Sequence, residues 1–145
     1  MRKFFFPFPI LALCLLTGCE TSQEKEDRLP VIDTHVHLWD VSRPEMTWPR
    51  KGHPLFKSFL PAQHEPICKA NGVDGVIVVL SGQALIDNQW NLDVTAHNPE
   101  LYRGVVGNMS KAIGTDEFAP LFLKLCKDPR YVGYRISGCP EKGID

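Results

Sequence analysis

The run Val31-Ile32-Asp33-Thr34-His35-Val36-His37-Leu38-Trp39-Asp40 decides how this chain folds. Side chains on a β-strand alternate between its two faces. Read as a strand, the run sets Asp33, His35 and His37 on one side and Ile32, Thr34, Val36 and Leu38 on the other. One side is ionisable and the other mainly apolar. Such a strand suits a sheet with helices on its apolar side, and its polar side then carries two imidazoles that converge near the strand's C-terminal end. Neutral imidazole nitrogen is a good ligand for zinc and related divalent ions. The competing reading is an edge strand with two solvated histidines.

Outward from this run, Gly75–Leu80, Tyr102–Met109 and Tyr131–Ile136 are β-rich and read as three further strands. Helix-like stretches separate them. Asp116–Asp128 is the clearest, with Phe118, Leu121, Phe122, Leu125 and Cys126 recurring on one helical face. Thr115 is its expected N-cap, and Asp128-Pro129 its stop. Ala84–His97 is compatible with a helix. Between the first two strands, Pro44, Pro49, Pro54, Pro61 and Pro66 forbid one continuous helix. The spacing predicts a long loop there, with a helix only over Gln63–Asn71, closed by Gly72.

Strands alternating with helices imply a parallel sheet of βαβ units. Val76, Tyr102 and Tyr131 are 26 and 29 residues apart, close to the roughly 31 residues per unit of an eightfold barrel. The fold class expected is therefore α/β, the N-terminal half of a (β/α)8 barrel with four parallel strands and crossover helices. A half-barrel exposes two strand edges, so a homo-oligomer or a complementing C-terminal half is an expected partner.

The residues also carry a resemblance. V-I-D-T-H-V-H-L-W-D is similar to the opening strand of the amidohydrolase superfamily, and specifically resembles the amidohydrolase-related (amidohydrolase 2) branch of sugar lactonases. The likeness continues more loosely through Ala70–Val76, Tyr102–Gly107 and Val132–Arg135. The resemblance implies a TIM-barrel hydrolase that opens a lactone or similar cyclic ester with metal-activated water. It implies His35 and His37 as metal ligands, with zinc the foremost ion. The family's fourth-strand His has no match, since Ile136 follows Arg135. Its later-strand ligands and catalytic Asp also find no counterpart, so an incomplete site is expected and no catalytic residue is assigned. A non-catalytic remnant or binding module, and a decarboxylase of the same superfamily, are the alternative functions.

Arg135, ending the fourth strand, is placed to hold a substrate carboxylate or lactone oxygen, or else to pair with a nearby carboxylate. Arg103, early in the third strand, is expected on the stability side of the fold. His53, His64 and His97 read as solvated or locally hydrogen-bonded, and Trp39 and Asp40 as lining a pocket mouth or, the commoner case beside Pro44 and Pro49, packing the long loop. Asn108-Met109-Ser110 matches a glycosylation acceptor but closes a strand, which argues against that use. Cys68 and Cys126 read as buried structural thiols.

At the start of the chain, Met1-Arg2-Lys3 precedes an apolar run, Phe4–Leu16, too short to span a bilayer. It ends in Leu16-Thr17-Gly18-Cys19, which resembles a bacterial lipobox. Residues 1–18 are expected to be a lipoprotein signal peptide, Cys19 the lipidated N-terminus, 19–29 a flexible tether and 30–145 the folded domain. Such a protein is exported and anchored to a bacterial membrane, and Glu20 favours the outer membrane, facing the periplasm.

Composition sets the outer bounds. With 145 residues, 43% hydrophobic and 23% charged, the chain is one domain of ordinary globular make-up, not a disordered or collagen-like one. A formal net charge of −1 supplies no global attraction for nucleic acid. The partner expected in the site is a small molecule.

Overall fold

Short β-branched runs form the strands, and the structure, a computed structural model, describes residues 28–136 of the chain. Strand β1 is Ile32–Val36, followed by helix α1 (Pro61–Ala70), β2 (Gly75–Val79), α2 (Ile86–Val94), β3 (Tyr102–Asn108), α3 (Phe118–Leu125) and β4 (Tyr131–Arg135). All four strands are parallel and lie in the order β1-β2-β3-β4. Each crossover therefore moves one place along the sheet, as in a barrel. The expected architecture is borne out, with element ends displaced by at most three residues.

β2 reads Gly-Val-Ile-Val-Val and is buried almost throughout, as a central parallel strand should be. Its Val76, Val78 and Leu80 join Leu38, Cys68, Leu92, Tyr102, Val105, Met109, Leu125 and Tyr131 in one core between sheet and helices. The stripe on α3 meets this core through Leu125, with Phe118, Leu121 and Phe122 half-buried against it. Phe118 and Phe122 stack with ring centres 5.8 Å apart.

Each ladder slips by one residue: between Asp33 and Val36, Val76 and Ile77, and Val105 and Val106. An extra residue on one strand breaks the two-residue alternation locally. In β1 the consequence is large. Asp33 registers with the core residue Val76, and Val36 with Val78, so Asp33 does not share a face with His35 and His37 as strict alternation requires. Thr34, expected beneath the helices, is exposed at the slip.

Two further expectations are corrected. Cys68 is buried, but Cys126 is exposed because α3 ends at Leu125 and Cys126 sits beyond its packed face as the C-cap. Thr115 is not the N-cap, a place taken by Glu117 without a side-chain bond. The Thr115 hydroxyl instead donates to the Ala112 carbonyl, at 2.7 Å, and accepts from the Glu117 N–H at 3.3 Å, a turn just ahead of the helix. Gly72 does close α1, at φ +65°.

The helix α2 is fastened to the C-terminal end of the sheet by a buried amide. Asn88 donates to the Asn108 carbonyl at 3.1 Å and accepts from the Asn108 N–H at 2.9 Å and from the Tyr131 hydroxyl at 3.3 Å. A Cβ at Gly107 would fall on Asn88 Oδ1 and the Tyr131 hydroxyl, so only glycine leaves room for the exchange. Asn108 is itself fully buried, which agrees with setting aside the glycosylation reading. The signal-peptide residues 1–18, Cys19, most of the tether, and residues 137–145 with Cys139 lie outside the described residues. Among those described, no helix is long and apolar enough to cross a membrane.

Candidate metal centre at the end of the first strand

β1 delivers His35 and His37 to the C-terminal end of the sheet. Their ring centres are 4.9 Å apart and the planes meet at 82°, so the two imidazoles meet edge to face. His37 Nδ1 lies 2.6 Å from the carbonyl oxygen of Val79 on β2. A carbonyl oxygen can only accept, so Nδ1 carries the proton and the neutral ring keeps its lone pair on Nε2. A ring nitrogen tied to a backbone carbonyl is the arrangement that orients a metal-ligating histidine. His35 is exposed, and its backbone N–H donates to Asp33 Oδ1 at 3.1 Å.

The donor type and the fixed tautomer fit a divalent ion, and the donor number makes this half a site. Among the described residues, no group of three His, Cys, Asp or Glu side chains is gathered to hold a metal. Catalytic zinc ordinarily takes three protein ligands and a water.

Arg135 ends β4 at the same rim of the sheet. It is exposed, stands opposite Asn108 in the register, and makes no ion pair among the described residues. Three interstrand steps of about 4.8 Å put it roughly 14 Å along the sheet from β1. Arg135 and the histidine pair thus stand well apart along the same rim. Arg103 lies at the opposite rim, donating to the carbonyls of Glu100 and Asp74 at 3.1 and 3.3 Å, as expected of a structural residue.

Over the rim stands the long β1–α1 loop. Trp39 and Phe59 form an antiparallel bridge that closes its neck, and Trp39 Nε1 donates to the Lys57 carbonyl at 2.8 Å. Asp40 accepts from the Ser42 N–H at 2.9 Å and from the hydroxyls of Ser42 and Ser58 at 2.7 and 2.8 Å. The Ser42 N–H foremost, with the hydroxyls and the nearby Arg43 charge, holds the Asp40 carboxyl below the usual carboxylate range against burial. Farther along, Arg43 Nη1 bonds Asp87 Oδ1 of α2 at 2.7 Å, and its guanidinium covers the Trp90 ring at 4.6 Å. Burial pushes the Asp87 carboxyl up, with Arg43 opposing it. No local pattern in the sequence announces this tie, since Arg43 and Asp87 are 44 positions apart.

His64, Cys68 and Tyr102 cluster on the helical side of the sheet. His64 is half-buried, not solvated, with Nδ1 3.3 Å from the Tyr102 hydroxyl and Nε2 3.4 Å from Cys68 Sγ. Burial lowers the affinity of His64 for its proton, against the charges of Asp33 and Glu65. Helical spacing of His64 and Cys68 was the available signal. His97 pairs with Glu65 at 2.7 Å, and the His53 ring accepts from the Leu55 N–H at 3.1 Å. A groove of about 680 Å³ beside α1, lined by Glu65, Lys69 and Asp74 among others, touches neither His35 nor His37.

Four parallel strands in sequential order, with crossover helices and a histidine pair at the end of the first, define a segment of a (β/α) barrel. No protein-family model matches the chain. It is 30% identical over 105 residues to the L-fucono-1,5-lactonase of Burkholderia ambifaria, an alignment covering 72% of this chain and 35% of the lactonase. Its fold matches the crystal structure of an amidohydrolase from Burkholderia multivorans with bound zinc, at a TM-score of 0.55 and 21% identity, over 74% of this chain and 37% of that one. The chain thus spans about a third of the length of each. In sequence the chain is thus similar to a lactonase, and in fold to an amidohydrolase barrel.

Proposed function

We infer that this chain supplies the first-strand ligand pair of a metal-dependent hydrolase that opens a sugar lactone or similar cyclic ester. The observation that carries the reading is the contact of the His35 and His37 rings at the end of β1, with the Val79 carbonyl fixing the His37 tautomer. Likeness to a fuconolactonase and to a zinc-containing amidohydrolase supports it. His37 Nε2 and the His35 ring would hold a divalent ion, zinc foremost. Such an ion, when bound, acidifies a water and polarises an ester carbonyl. Arg135 binds a carboxylate or lactone oxygen of the substrate, and Val79 keeps the His37 ring from turning. The remaining ligands come from a completing half, either a C-terminal segment or a second copy. Export and anchorage through Cys19, toward the periplasm, belong to the same proposal and rest on the lipobox-like run Leu16–Cys19.

The test is zinc uptake by the full chain against a competing chelator, followed by acid release from L-fucono-1,5-lactone with and without a complementing C-terminal half. Uptake abolished by His35→Ala, with lactone opening restored by the complement, supports the reading. A wild-type chain that takes up no more zinc than the His35→Ala, His37→Ala double variant removes it and leaves a non-catalytic binding module.

A further inference from the structure

All four strands run parallel, so their N-terminal ends share one rim of the sheet and their C-terminal ends the other. The chain enters at the N-terminal rim and is gripped there before the first strand begins. Arg28 Nη2 donates to Asp74 Oδ1 at 2.6 Å and to the Gly72 carbonyl at 3.1 Å. Asp74 Oδ2 accepts the Val31 N–H at 2.9 Å, and the Asp74 N–H donates to the Val31 carbonyl at 2.8 Å. One carboxylate, just ahead of β2, thus holds both Arg28 and Val31. Whatever precedes Arg28 leaves the domain from this rim.

His35 and His37 end the same strand at the other rim. The six positions from Val31 to His37 span about 20 Å of extended chain, and the loop closed by the Trp39–Phe59 bridge stands beyond them. Cys19 and Arg28 are nine positions apart, which limits their separation to about 32 Å. A bilayer that holds Cys19 can meet the N-terminal rim with this length largely unused. To meet the histidine rim instead, Arg28 would have to stand off by the height of the sheet and the loop together, which draws those nine positions out to nearly their full reach. That costs conformational entropy at every residue straightened. At the N-terminal rim, Lys69, Glu100, Arg103 and Lys127 are exposed, a mixed polar surface suited to a headgroup layer and not to the acyl core.

We propose that the N-terminal rim, from the Arg28–Asp74 clasp to Lys69 and Lys127, is the surface this protein lays against phospholipid headgroups. The histidine rim then opens away from the bilayer, and the site takes a substrate dissolved in water, not one embedded in lipid. The orientation rests on the anchorage through Cys19 proposed above and is independent of the hydrolase reading.

The lysines are the probe. The full chain, made in a bacterial host that acylates it, is inserted from outside into preformed phosphatidylcholine vesicles and treated with a membrane-impermeant amine-acetylating reagent. Labelling at each lysine is read by mass spectrometry against the same chain in detergent. Lys69 and Lys127 are expected to lose reactivity severalfold on the vesicle, while Lys51 and Lys57 of the β1–α1 loop and Lys111 beyond β3 keep theirs. Protection of Lys51 and Lys57 with Lys69 left reactive overturns the proposal, and so does unchanged labelling of all five. A second measurement needs no detergent reference: vesicles of brominated phosphatidylcholine should leave the Trp48 emission unquenched, and quenching there overturns the orientation as well. A chain recovered without an acyl group on Cys19 removes the anchorage and the orientation together, and leaves the hydrolase reading to its own zinc-uptake test.

Discussion

His37 Nδ1 stands 2.6 Å from the carbonyl oxygen of Val79, so the end of β1 is tied to β2 by a side chain as well as by the ladder. This fixes one tautomer. We expect long-range proton–nitrogen correlation spectra of the full chain at neutral pH to show His37 protonated at Nδ1, with an unprotonated Nε2. A spectrum with the proton on Nε2 would place the lone pair against Val79 and deny the metal its ligand.

The Asn88 amide makes one prediction about stability. It satisfies both backbone groups of Asn108 and the Tyr131 hydroxyl, all buried. Burial also pushes the Tyr131 hydroxyl pKa up to about 12, so the group stays a neutral donor. Replacing Asn88 with Leu removes all three of these bonds, at about 1–3 kcal/mol for a buried group left unsatisfied. The expected loss in urea unfolding is about 3 kcal/mol, and Gly107→Ala, which pushes a methyl into the same place, should lose a similar amount. A change below about 0.5 kcal/mol in both, the range of an ordinary surface substitution, would show that the network is dispensable.

His64 gives the fold a pH dependence. Burial depresses its pKa below the ordinary 6.5, with Asp33 and Glu65 pulling the other way. The unfolded chain therefore takes up a proton as pH falls past about 6.5, while the folded chain does not. The stability this residue contributes is complete above 6.5 and declines as pH falls toward the depressed value. The melting temperature should accordingly drop between pH 7 and pH 5, and His64→Gln should flatten that slope. A slope unchanged in the variant assigns the effect to other groups.

How far the sequence reaches is visible in β1. The period-two pattern placed the strand, its neighbours and the meeting of His35 with His37, because burial of alternate residues is a local and repeated constraint. It misplaced Asp33, because the one-residue slip against β2 is set by pairing between segments about 43 residues apart. Cys126 failed for a similar reason: a helical stripe says which residues share a face, not where the helix stops being covered. The Val79 carbonyl that holds His37 carries no side-chain signature at all. Ties such as Arg43 to Asp87 are likewise invisible until a loop closes.

That last tie governs the loop and gives a test by asymmetry. Arg43 and Asp87 side chains are only 14% and 8% exposed, and their 2.7 Å bond joins the loop to α2. Removing one partner of a buried pair strands the other charge, at about 3–5 kcal/mol, whereas neutralising both together costs far less. Arg43→Met alone should therefore loosen the loop and speed trypsin cleavage at Arg50 and Lys51, which are exposed but held in an ordered turn. Burial already raises the Asp87 pKa, so the stranded carboxyl would relieve itself by taking a proton, and the damage should shrink as pH is lowered. Adding Asp87→Asn should restore most of the protection at neutral pH. If the double variant is cleaved as fast as Arg43→Met, the loop is held by its Trp39–Phe59 neck and the cation over Trp90, not by the ion pair.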